Sequence, residues 1–179
     1  MADDDLDVDC DDDLPASAPL GRAREIVEQK RREAHLDLRI DVDDDLAFLL
    51  RYKPVGGETL DNVQTSRESS DSMESDARMV ARACIGIFVD LGEQVVSIDG
   101  LDDPSSASAY IDADDKIVGD PITFASPWLA DEFGVTSRKA ADVVRALFPL
   151  ELAINRHAVA VFHFSRESKA EVARNALGN

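Results

Sequence analysis

The pattern of apolar and polar positions changes period several times along this chain. Leu36, Leu38, Ile40 and Val42 alternate with Asp37, Arg39 and Asp41, a spacing that predicts a half-buried strand. The acidic run at residues 43–45 is a turn signal. In "LAFLLRYKPV" beyond it, Phe48, Leu50 and Tyr52 share one face, and Pro54 ends the run. Together they predict a β-hairpin. "ETLDNVQ" predicts a short helix after Gly56-Gly57, and "SRESSDS" a polar linker. Asp71 with Glu74 three residues on has the form of a capping box. Met73, Ala77, Val80, Ala81, Cys84 and Phe88 then fall on one face of an amphipathic helix, with Arg78 and Arg82 on another. "GEQVVSIDG" predicts a small strand or turn.

Residues 99–121 are rich in Asp, Ser, Gly and Pro and read as loop, with "PITF" as a short strand. Ser126-Pro127-Trp128 predicts a helix start. The next helix is capped at Thr136 or Ser137, buries Ala140, Val144, Leu147 and Phe148, and is broken by Pro149. From Leu150 the period continues with Ile154, Ala158, Val161 and Phe162. "HAVAVFHF" also alternates as a strand would, but the helical period begins earlier and is preferred. A last helix, capped at Ser165 or Ser168, runs to Leu177. The fold class expected is α+β and predominantly helical: an N-terminal β-hairpin, then a helical C-terminal portion.

Charge changes the reading of the N-terminus. The chain of 179 residues has a formal net charge of −18. Eight aspartates lie between Asp3 and Asp13, and no Lys or Arg precedes Arg22. Residues 1–18 therefore read as a disordered acidic tail, and residues 19–179 as one α-rich domain. Within it "GRAREIVEQKRREA" reads as an exposed helical arm after Pro19, with Arg24–Glu28 and Glu28–Arg32 pairs at helical spacing. Nucleic acid and anionic membranes are poor partners for such a chain. The acidic start lacks the basic and apolar regions of a signal peptide, and no apolar run is long enough to span a membrane. With only Cys10 and Cys84, a disulfide framework is not expected. The expected setting is soluble and cytoplasmic.

Candidate chemistry adds little. His157 and His163 stand six apart and His35 far upstream, without the His or Cys pairs of a zinc site. They read as histidines at the edge of a core helix, so the apolar stretch 143–164 reads as core. Asp7-x-Asp9-x-Asp11 starts like a calcium loop, but Asp12 and Ala18 stand where Gly and Glu are needed. Cys84, among Ala, Val and Ile, reads as inert packing. Trp128 reads as a core plug rather than an exposed contact. Catalytic, metal and cofactor residues are assigned to none, cofactors to none, and the partner-binding residues stay open.

The chain resembles the tail assembly chaperones of long-tailed phages infecting actinobacteria. The resemblance covers residues 36–179 and is carried by "RYKPV", "ARMVARACIGIFVD", "RKAADVVRALFPLELAINRHAVAVFHFSRES" and the polar end "ARNALGN". "FHFS" stands where the family often has an aromatic-rich segment ending in Trp-Ser, and the Asp-rich tail is not a family hallmark. The resemblance implies a non-enzymatic, self-associating scaffold that coats the apolar tape-measure protein until tail-tube subunits displace it. It also implies a longer frameshifted product that recruits the tube protein, a place in the host cytoplasm, and absence from the mature virion. The competing reading is an acidic DNA mimic that occupies a host DNA-binding enzyme. It ranks second because the densest acidic run lies in the tail and not on a rigid surface.

Overall fold

The computed structural model describes residues 21–176, apart from 23–24, 27–28, 30–32, 44–45 and 68–71. The chain divides into two compact units, 1–33 and 34–179. The acidic tail, the Pro19 start, the charge pairs of the arm and the Asp71 cap lie outside the described residues. In the first unit Gly21, Arg22, Glu25, Ile26, Gln29 and Glu33 are helical, and Gln29 Nε2 donates to Glu33 Oε1 at 2.9 Å. The expected arm thus belongs to the first unit and not to the body that begins at Ala34.

That body is α+β. Six antiparallel strands follow one another in chain order: β1 (Leu36–Asp41), β2 (Ala47–Tyr52), β3 (Cys84–Asp90), β4 (Val95–Ser97), β5 (Ala109–Ile111) and β6 (Ile117–Gly119). Five helices accompany them: α1 (Gly57–Arg67), α2 (Ser72–Ala83), α3 (Pro127–Glu132), α4 (Ala140–Leu147) and α5 (Glu151–Ala176). The expected hairpin is present as β1 and β2, with Asp37 opposite Arg51 and Ile40 opposite Phe48. Side chains alternate across a strand. Phe48, Leu50 and Tyr52 therefore join Ile87 and Val89 in one core with Val80 of α2, Val144 of α4 and Ile154, Ala158 and Val161 of α5.

The largest correction concerns residues 84–90, expected as the end of a helix. Helix α2 stops at Ala83 and the chain enters β3 with no loop between. "CIGIFVD" holds β-branched Ile85, Ile87 and Val89, which favour the pleated conformation. β3 lies between β2 and β4 and is buried on both faces, so it shows a continuous apolar run instead of an alternation. Tyr52 pairs with Cys84 and Arg51 with Gly86, which leaves Ile85 as the extra residue of a β-bulge.

The segment 99–121, expected as loop, carries β5 and β6, whose three-residue strands are too short to print a period. Conversely "PITF" is not a strand. It runs beside β3, where the Ile87 N–H donates to the Ile122 carbonyl at 2.9 Å and the Ile122 N–H to Ser97 Oγ at 3.0 Å. The last two expected helices are one, α5. Ser165 is no cap: it is buried, donates to the Val161 carbonyl at 2.7 Å and accepts from the Val55 N–H at 3.0 Å. Lys139, and not Thr136 or Ser137, occupies the cap position of α4. Ser137 Oγ instead bonds the Asp142 carboxylate. Trp128, expected in the core, is 40 % exposed.

Gly86 is where β3 is most tightly covered. A Cβ there would lie 2.4 Å from the Phe88 ring and 3.1 Å from Pro121 Cβ. Gly86→Ala is therefore expected to destabilise the body by about 1–3 kcal/mol through overpacking, read as a lower urea midpoint. An unchanged midpoint would show that this face of β3 is open.

Candidate functional site

Helix α5 answers for the apolar stretch. Ile154, His157, Ala158, Val161 and Ser165 recur at three- and four-residue spacing and are all buried. His157 is thus part of the core, while His163 on another face is exposed. His157 Nδ1 lies 2.8 Å from the Tyr52 hydroxyl. The ring also hydrogen-bonds the Arg39 backbone, which favours its protonated form and so marks the ring as donor there. A neutral imidazole has one donor and one acceptor nitrogen, so Nδ1 accepts the Tyr52 O–H. Phe148 stands edge-on to the ring, with centroids 4.9 Å apart at 89°. The bond to Arg39 matters because β1 is an edge strand, whose outward carbonyls meet no further strand among the described residues.

Burial dominates the ionisation of this cluster. It pushes the His157 pKa down from 6.5 to about 4, the Cys84 thiol up to about 12, and the Tyr52 hydroxyl well above its ordinary value. A thiol so placed is not a thiolate nucleophile at neutral pH.

The opposite face of the sheet carries a polar clasp that sequence spacing did not reveal. Arg51 points away from the helices, and its side chain is only 3 % exposed. Its Nε and Nη2 donate to the two oxygens of Asp37 at 2.9 and 2.7 Å. Nη1 donates to the Asp115 carbonyl at 2.8 Å and Nη2 to Asp115 Oδ1 at 2.5 Å. Asp115 belongs to the turn between β5 and β6, in the left-handed region at φ 61°, which Asp tolerates better than most residues. The Asp112 carboxylate shapes that turn by accepting from the N–H groups of Asp114 and Lys116. Burial works against the Arg51 charge, but the hydrogen bonds and charges of Asp37 and Asp115 outweigh it and raise its pKa. Arg51 in turn holds the Asp115 carboxyl below its usual range. His35 completes the cluster, with Nε2 3.0 Å from Asp115 Oδ2.

The third feature is apolar and exposed. Leu150 and Leu152, at the start of α5, are 66 % and 59 % exposed. Trp128 and Phe133, in and after α3, are also exposed. The sequence pattern placed Leu150 at the start of a buried helical run. Its position beside Pro149, before the first buried residue Ile154, is what leaves it outside. Among the described residues no helix is long and apolar enough to cross a membrane. Comparison of the chain with protein-family models, curated proteins and solved structures gives no match.

The His157 pKa has a definite consequence for stability. The unfolded imidazole binds a proton more readily than the folded one, so stability is full above about pH 6.5 and falls as pH drops toward 4. The loss over that window is about 3 kcal/mol. Hydrogen bonds from Arg51, Arg145 and Ser137 hold the carboxyls of Asp115, Glu74 and Asp142, respectively, below their usual range, and these add to the loss at more acid pH. Urea unfolding at pH 7, 6 and 5 should show the decline, and His157→Gln should flatten it. An equal slope in both proteins would place the titration elsewhere.

Proposed function

We propose that the chain is a non-enzymatic tail assembly chaperone of the kind made by long-tailed phages of actinobacteria. In this reading it binds the tape-measure protein in the host cytoplasm and keeps it soluble until tail-tube protein displaces it. The observation that carries the reading is the exposure of Leu150 and Leu152 on an otherwise strongly acidic chain. Covering a leucine side chain contributes about 1.5–3 kcal/mol, so the pair suffices to anchor one face of an amphipathic helix. The surrounding negative charge opposes aggregation of the complex. Self-association and recruitment of tube protein through a longer product belong to the same proposal.

The net charge of −18 favours the alternative, an acidic DNA mimic. Salt separates the two. Apolar contact survives high salt, whereas charge attraction is screened beyond about 10 Å at 0.1 M. The chain is expected to retain tape-measure protein in pull-downs at low salt and at about 0.5 M. A Leu150→Glu, Leu152→Glu double variant should lose that partner while melting as the parent does, because both side chains are exposed. Retention of a DNA-binding enzyme alone, lost at high salt, would replace the chaperone reading with the mimic.

A further inference from the structure

Three side chains that the proposed function does not use converge at the open side of the Arg51 clasp. His35 Nε2 lies 3.0 Å from Asp115 Oδ2 and 3.9 Å from Asp37 Oδ2. One ligand atom from each of the three residues lies within 4.8 Å of the others. We infer that His35, Asp37 and Asp115 form a binding site for a single divalent first-row transition ion, of which Zn2+ is the model.

The spacing suits one ion. Tetrahedral coordination with bonds of about 2.0–2.1 Å sets ligand atoms about 3.3 Å apart, between the two distances to His35. The 3.0 Å separation has to open slightly, which Asp115 allows because its side chain is 61 % exposed and stands on a turn, and the 3.9 Å separation has to close by about half an ångström between His35 and Asp37. Lone pairs are available despite Arg51. The guanidinium uses Asp115 Oδ1 but not Oδ2, and one direction at Asp37 Oδ2, while each carboxylate oxygen offers about two acceptor sites. Arg51 thereby acts as the outer partner that orients ligating carboxylates in metal sites. It also offsets only one of the two carboxylate charges, so a net negative charge remains beside His35.

The donor set also selects the ion. Calcium takes about six to eight oxygens, and this site offers two carboxylates and a nitrogen. Imidazole favours Zn2+ and its transition-metal neighbours over Ca2+ and Mg2+. His35 and Asp37 are half-buried and Asp115 is exposed, so water can reach the ion and complete its shell. The bound ion ties the start of β1 to the β5–β6 turn.

The test uses the full chain, stripped with chelator and titrated with Zn2+ by calorimetry. It also follows the ring nitrogens of the three histidines by 15N NMR. One ion per chain is expected, with the His35 Nε2 resonance moved and those of His157 and His163 in place. His35→Gln and Asp115→Asn should each weaken binding at least about tenfold, a loss of about 1.4 kcal/mol, and excess Ca2+ should not displace Zn2+. Should either variant fail to fold, the His35 resonance of the parent chain decides. Unchanged binding in both variants with displacement by Ca2+ would assign the ion to the aspartates of residues 3–13 and overturn the site. An unmoved His35 resonance would overturn it as well.

Discussion

A guanidinium can be kept from water only if its donors meet acceptors of opposite charge, because an unpaired buried charge costs several kcal/mol. Arg51 imposes that requirement on the sheet. Four of its hydrogen bonds go to Asp37 and Asp115, one on the neighbouring strand and the other in a turn 64 residues later. β4 meets β5 only at Val95–Ile111 and Val96–Tyr110, and β5 meets β6 over three residues. Such short ladders are marginal by themselves. The Arg51 bonds supply the missing anchorage and bring the β5–β6 turn back to β2, which lies three strands away in the sheet order.

The two faces of the sheet therefore work by different physics. On the helical face the core is mostly apolar, and the Tyr52–His157 contact within it is satisfied because the imidazole also bonds the edge strand. On the other face a charged cluster joins distant segments. Breaking one partner of such a cluster is costly, whereas replacing the whole by apolar groups need not be. The cluster thus specifies where the hairpin sits more than it adds to stability. Leu150 and Leu152, at the start of α5, are exposed and belong to neither the apolar core nor the charged cluster.

Much of the local structure was legible in the sequence, because β1, β2, α2, α4 and the start of α5 carry clear periods. Residues 84–90 were misread because a strand buried on both faces has no alternation, and a short apolar run then looks like helix. The β-branched Ile85, Ile87 and Val89 were the available signal. The strands in 99–121 were missed because three residues cannot show a period against a background of Asp, Ser and Gly. Trp128 was misplaced because a large aromatic is usually buried, and nothing local told which way α3 would turn. The Arg51 clasp was invisible for a different reason: its partners are set by topology. In one respect the sequence did hint at it, since Arg51 interrupts the apolar run of β2 at a position facing Asp37 in the hairpin register.

The most direct measurement is hydrogen exchange on an Arg51→Met variant. The account predicts that amides of Ala109–Ile111 and Ile117–Gly119 exchange at least about tenfold faster, while those of α2 and the buried part of α5 keep their protection. Unchanged protection in the β5–β6 hairpin would contradict the claim that Arg51 anchors it. An equal loss of protection across both faces would contradict the claim that the two faces are held by separate means.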